Sequence, residues 1–301
     1  MTSNEDAIPI PRTARPLGAI DTQANAEACI AMLSILYHAE RAAAEAFERL
    51  NDPGIVENCE LFLQARSMLV ADERSHLEDM EEIIRSVGGK SIQPPAPGFA
   101  ELWDLNYVRD KMFLPLETRV AALFLLITES LGYACLYHLA NVTRTTNHKI
   151  SSLLRANVQD ETRHLQLSMA VLRRTLSQAR LPVALDVGVH FWVFLLLSRP
   201  AAKTMLSTMA RVGLDPYVMS GSSLDFTCGL LRQVIDQKRG RSIIWQILGA
   251  LSPIAFSPIM MRFFRVLCLL PEPPFIWPTI RTLSRMVHRF SINFSTSQPA
   301  A

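Results

Sequence analysis

The sequence predicts an all-α protein in which two helical hairpins are joined by a long crossover and followed by further C-terminal helices. Three observations carry that reading. Apolar residues recur at three- and four-residue spacing through residues 25–180. No segment alternates convincingly with the two-residue period of a strand, and no hairpin turn stands out. Strong breakers punctuate the periodic region: Asn51-Asp52-Pro53-Gly54, Gly88-Gly89, and a connection holding Pro94, Pro95, Pro97 and Pro115.

Residues 1–24, with Pro9, Pro11 and Pro16 and little periodicity, read as an N-terminal arm. The first helix then carries the stripe Leu33, Leu36/Tyr37, Glu40, Ala43/Ala44, Phe47. A second runs from about Val56 to Ser86, with Leu69, Glu73, His76, Met80 and Ile83 on one face. Residues 90–116 form the crossover, with a short helix expected around Leu102 to Lys111. The third helix begins near Glu117 and turns Ala122, Leu125/Leu126, Glu129, Tyr133, Leu136 and Ala140 inward. The fourth runs from about His148 to Ala179, with Leu154, Val158, Glu161, His164/Leu165, Ser168 and Leu172 on its stripe. Residues 25–180 thus have the connectivity of a ferritin-like four-helix bundle with one long crossover. Residues 181–301 are more apolar and rich in proline (Pro200, Pro216, Pro253, Pro258, and a cluster from Pro271 to Pro278). They read as an apolar helical extension packed on the bundle.

Composition narrows the function classes. Of 301 residues, 49% are hydrophobic, enough for a sizeable core. A formal charge of +2 and the lack of a basic, aromatic-rich cluster give no support to a nucleic-acid partner. The five cysteines (Cys29, Cys59, Cys135, Cys228, Cys268) are scattered and form no C-x-x-C pair. That argues against a disulfide framework or thiolate zinc and suits a reducing, cytoplasmic compartment. The polar start, with Asn4, Glu5 and Asp6, is unlike a secretory signal. Residues 243–261 hold no charge and approach the length of a membrane span. Pro253, Pro258, Gln246 and the serines favour a buried helix pair or an apolar lid instead. With Arg262, Phe263, Phe264 and Arg265, peripheral contact with a membrane surface is the alternative.

Chemistry enters through a repeat. Asp72-Glu73-Arg74-Ser75-His76 on the second helix and Asp160-Glu161-Thr162-Arg163-His164 on the fourth each hold Glu-x-x-His. Residues three apart on a helix are neighbours, so each pair aims a carboxylate and an imidazole at one point. Glu40 and Glu129 sit on the apolar stripes of the first and third helices, each at nearly the same distance before its Glu-x-x-His. Four inward carboxylates need compensation, because an unpaired buried ion costs several kcal/mol. Two divalent cations supply it. Oxygen and imidazole donors without thiolate suit iron or manganese. Asp72 and Asp160 are placed to accept the second N–H of a ligand histidine on the opposite hairpin. Arg163 is positioned to pair with one of them, and a solvated helix face is the competing reading for both aspartates. Glu45 competes with Glu40 but falls off the stripe.

The set Glu40, Glu73, His76, Glu129, Glu161 and His164 resembles the ferritin-like di-iron carboxylate superfamily, over roughly residues 30–175. The Asp-Glu-Thr-Arg-His copy resembles acyl-carrier-protein desaturases and aryl-amine N-oxygenases. The N-oxygenases carry a further histidine ligand where this chain has Asn157. The resemblance implies two metal ions, iron ahead of manganese, with O₂ as co-substrate and an external electron donor such as a reductase.

Other residues have blander readings. Tyr37 and Tyr133, one turn from Glu40 and Glu129, are expected to pack in the core, with a hydrogen bond to a ligand, a radical role or a place in the pocket as the alternative. Gly132 leaves space beside the metals, either as mere helix packing or as the place where oxygen and substrate sit. His38, His138, His148, His190 and His288 lack matching partners and read as structural. Gly88-Gly89-Lys90-Ser91 lacks the earlier glycine and the strand of a phosphate loop.

The expected function is an O₂-dependent di-iron oxygenase. It hydroxylates, desaturates or N-oxygenates a small apolar or carrier-bound molecule, and a homodimer is expected. The alternatives are a ferroxidase or iron-storage protein, or a non-catalytic protein stapled by metal.

Overall fold

The structure is a computed structural model that describes residues 26–49, 60–94, 118–144 and 147–178. It also describes residue 8 and scattered positions between 205 and 282, of which 225–231 is the longest run. The described residues are helical and include no strand. Four helices stand where the periodicity places them: α1 (Ala26–Glu48), α2 (Glu60–Ser86), α3 (Thr118–Val142) and α4 (His148–Gln178). The Asn51–Gly54 stop, the short helix expected at 102–111, the stretch 243–265 and the N-terminal arm apart from Ile8 lie outside the described residues.

Local signals set the helix ends. Asn147 caps α4, its side-chain Oδ1 accepting the Ile150 backbone N–H at 3.1 Å. At the end of α2 the Gly89 N–H donates to the Ile84 carbonyl and the Gly88 N–H to the Arg85 carbonyl. Gly88 takes φ +88° between them, a left-handed turn that suits a residue without Cβ. The chain after this turn is pinned back on α1. Gln93 donates its N–H to Ser34 Oγ at 3.0 Å, and its carbonyl lies 2.7 Å from His38 Nε2.

α1 packs against α2, α3 against α4, and α2 against α4. One core draws on all four helices: Met32, Leu33 and Leu36, then Met80 and Ile83, then Leu136 and Leu139, then Ile150 and Leu154. Fully burying each such side chain contributes about 2 kcal/mol. Among the described residues the protein is all-helical, with closely packed helices.

α3 is apolar on every side, and its surroundings explain why. Its front carries Glu129 toward the other helices. Along its flank lies the helical run 225–231. Ser130 Oγ and Thr227 Oγ1 are 2.7 Å apart, and Phe226 stacks on Tyr133 with ring centroids 5.1 Å apart. Residues Ala122–Val142 are long and apolar enough to cross a membrane by composition, yet 83% of the most apolar window is buried inside the protein. A helix covered on both faces has this composition without a bilayer.

Candidate metal centre

The stripe residues converge where the four helices meet. Glu40 comes from α1, Glu73 and His76 from α2, Glu129 from α3, and Glu161 and His164 from α4. All six are buried. They form two groups, Glu40–Glu73–His76–Glu161 and Glu73–Glu129–Glu161–His164. Within each group, one potential ligand atom from every residue lies within 4.8 Å of the others. Glu73 and Glu161 belong to both groups.

The imidazoles have two distinct sides. His76 Nδ1 lies 3.0 Å from Glu40 Oε2, 3.6 Å from Glu161 Oε1 and 3.7 Å from Glu73 Oε2. His164 Nδ1 lies 3.2 Å from Glu73 Oε1 and 3.3 Å from Glu129 Oε2. Both Nδ1 atoms therefore face the carboxylates. The Nε2 atoms face outward and cross between helices. His164 Nε2 is 3.2 Å from Asp72 Oδ2 on α2, and His76 Nε2 is 3.5 Å from Asp160 Oδ2 on α4. Arg163 holds both aspartates through one nitrogen, Nη2, 3.0 Å from Asp72 Oδ2 and 2.7 Å from Asp160 Oδ1. The sequence placed Arg163 beside one of them; the structure gives it both. Phe47 presses edge-on against the His164 ring, centroids 5.9 Å apart.

Electrostatics show what the cluster lacks. Burial, then the Glu40 charge, push Glu73 up to about 8. Burial and the Glu129 charge raise Glu161 well above the carboxylate range. Burial would lower His76, but Glu40 and Glu73 outweigh it and push the imidazole up to about 12. Burial likewise opposes the raising of His164, which is driven by Asp72, Glu129 and Glu73. Without a cation the site is thus held together by protons. Even so, both oxygens of Glu73 and Oε2 of Glu161 are buried without a hydrogen bond. Such atoms are costly unless something binds them. A divalent ion satisfies them and replaces the protons, so the residues present fit a metal.

The remaining expected residues fall in different places. Glu45 is exposed and pairs along its own helix with Arg41 at 3.6 Å, which leaves Glu40 as the inward glutamate. Tyr37 packs partly on the core and directs its hydroxyl to Glu81 at 3.4 Å, away from the cluster. Tyr133 lies between Phe226 and Tyr137, and its hydroxyl is hydrogen-bonded with Thr162, the neighbour of Glu161. Among the described residues, a Cβ added to Gly132 would meet nothing within 4 Å. His38 binds the Gln93 carbonyl, burial lowers the buried His138, and His148 is exposed at the start of α4. His190 and His288 lie outside the described residues.

One pair was not anticipated. Asn157, buried on α4, turns its amide to donate to Asp79 Oδ2 at 2.7 Å and to the Leu153 carbonyl at 3.2 Å. A signal was present: Asp79 stands three residues after His76, and Asn157 four before Glu161. At the position where the N-oxygenases carry a histidine, this chain has a neutral amide tied to a carboxylate.

Comparison with protein-family models, with curated proteins and with solved structures returns no match. The helical architecture and the buried carboxylate–histidine cluster are compatible with a ferritin-like di-iron site.

Proposed function

We propose that the six residues hold two iron ions in a ferritin-like four-helix bundle, and that the protein is an O₂-dependent di-iron oxygenase. The observation that carries this reading is the sharing of Glu73 and Glu161 by two otherwise separate ligand groups. Glu73 and Glu161 would be available to both ions, and each ion would further be held by one histidine and one glutamate. The connectivity agrees: α2 ends at Ser86 and α3 begins only at Thr118, whereas α3 and α4 are separated by a short turn.

When bound, the ions supply O₂ activation, with electrons from an external donor such as a reductase. The chain supplies everything else. Glu40 and Glu129 each complete one position. Asp72 and Asp160 fix the tautomer and tilt of the two histidines, so that Nδ1 faces inward. Arg163 keeps both aspartates in place. The buried apolar surroundings exclude bulk water. The substrate is a small apolar or carrier-bound organic molecule that is hydroxylated, desaturated or N-oxygenated. Manganese is the alternative metal, and a homodimer the expected assembly.

Anaerobic titration with ferrous iron, followed by O₂ addition under absorbance and Mössbauer observation, tests the reading. Two irons per chain and O₂ consumption coupled to an organic product are expected. Uptake of hundreds of irons by a cage-sized oligomer, with no organic product, would point to storage. Failure to take up two metals per chain would reject the centre.

A further inference from the structure

The two ligand groups match in residue types but not in support, and we propose that they fill in order. The His164 position takes its ion first and more tightly, and the His76 position completes the centre only at higher ion concentration. This rests on the di-iron reading above. A ligand imidazole gives one nitrogen to the metal and keeps its proton on the other, so the acceptor that meets the second N–H fixes the ring. His164 has that acceptor in place. Its Nε2 is hydrogen-bonded with Asp72 Oδ2 at 3.2 Å, and Arg163 Nη2 donates to the same oxygen at 3.0 Å. Phe47 braces the ring edge-on from α1. The ring therefore keeps its tilt when Nδ1 exchanges a carboxylate neighbour for a cation.

His76 is held from the opposite end. Its Nδ1, the nitrogen that faces the glutamates, is hydrogen-bonded with Glu40 Oε2 at 3.0 Å. Its Nε2 is buried and, among the described residues, has no hydrogen-bond partner. Asp160 Oδ2 stands off at 3.5 Å, while Oδ1 of the same carboxylate lies 2.7 Å from Arg163 Nη2. Loading this position removes the hydrogen bond that orients the ring and leaves a buried N–H unsatisfied until Asp160 closes the gap. The His164 position is thus preorganised and the His76 position is not, and preorganisation raises affinity by lowering the cost of ordering. Glu73 and Glu161 belong to both groups and cannot create the difference. Glu40 and Glu129 each belong to one, so each reports on its own position. Chemistry that needs both ions then follows metal supply, because a chain short of metal holds one.

The test titrates ferrous iron anaerobically into wild type, Glu40→Gln and Glu129→Gln, with bound iron measured after ultrafiltration and helix content by circular dichroism. Two steps are expected in wild type, with one Mössbauer doublet at one equivalent and a second at two. Sharing of Glu73 and Glu161 would by itself weaken the second ion, so the two variants decide. Glu40→Gln, which keeps the His164 position, should bind its ion about tenfold or more tighter than Glu129→Gln, which keeps the His76 position. Equal affinity in the two variants, or the reverse order, overturns the inference and leaves the di-iron reading intact. Should either variant fail to fold, the aspartates decide. Asp72→Asn should then weaken the first step and draw the two together, whereas Asp160→Asn should weaken only the second. A first step unmoved by Asp72→Asn overturns the inference. A wild type that never reaches two irons per chain overturns both readings.

Discussion

His164 Nε2 on α4 lies 3.2 Å from Asp72 Oδ2 on α2, and that carboxylate is at the same time 3.0 Å from Arg163 Nη2. Burial opposes ionisation of Asp72, but the His164 imidazole and the Arg163 guanidinium outweigh it, hold its carboxyl below the usual carboxylate range and keep it ionised. An ionised acceptor at Nε2 leaves Nδ1 to point at the glutamates. In the opposite sense His76 Nε2 on α2 faces Asp160 Oδ2 on α4, at 3.5 Å and without a hydrogen bond.

From this crossing, Asp72→Asn is expected to weaken metal binding at the His164 position, and Asp160→Asn at the His76 position. The loss should be about 10–100-fold in affinity with helix content unchanged. Metal titrations followed by circular dichroism and elemental analysis would show it. Unchanged affinity in both variants would reject the role of the aspartates.

Arg163 is 47% exposed, and pairs of this kind contribute under about 1 kcal/mol to folding. Arg163→Gln should therefore barely move the melting temperature. Because the side chain holds both aspartates, however, it should weaken both metal positions together. A variant in which one position weakens alone would contradict the shared contact.

The two classes of glutamate should behave differently. Glu73 belongs to both ligand groups, so Glu73→Gln is expected to take metal content below one ion per chain. Glu40 belongs to one group, so Glu40→Gln should retain about one ion, held less tightly. Glu45→Gln, on the exposed side of α1, should retain both. Elemental analysis after desalting distinguishes the three.

The metal-free protein should lose stability as pH rises. Glu73 is raised from 4.5 to about 8, so between these values the folded chain holds a proton that the unfolded chain has released. Its contribution is fully present below pH 4.5 and is lost as pH passes about 8. His76, raised from 6.5 to about 12, acts in the same sense at higher pH. Metal displaces these protons, so the loaded protein should show a flatter profile and release protons on uptake. Melting curves at pH 5.5, 7 and 8.5, with and without metal, check the sign. A metal-free protein that is more stable at pH 8.5 than at pH 5.5 would contradict it.

Much of the site could be read from the sequence because helical spacing is a strong constraint. Once Glu73 and His76 lie on an apolar stripe, only one direction is available to them, and Glu40 was separable from Glu45 on the same ground. For the aspartates, standing next to an inward glutamate left two readings open, a contact across the assembly and a solvated face, and only the packing of α2 on α4 separates them. What spacing cannot supply is a contact whose partner lies on a helix distant in sequence. The double pairing of Arg163, the Asn157–Asp79 bond and the turn of Tyr37 toward Glu81 depend on how helices approach, which no single stripe records. The cover of the Ser130–Tyr133 flank of α3 was hidden for the same cause: Phe226 and Thr227 lie some ninety residues further on.

That cover imposes an order on biogenesis. A ribosome releases the α3 segment well before residues 223–234, so the nascent chain carries an oily flank with nothing over it until late in synthesis. Assembly of the acidic interior is then tied to arrival of a distant stretch of polypeptide. A chain stopped at residue 215 is expected to bind hydrophobic dye and sediment as aggregate, whereas the full-length chain stays dispersed.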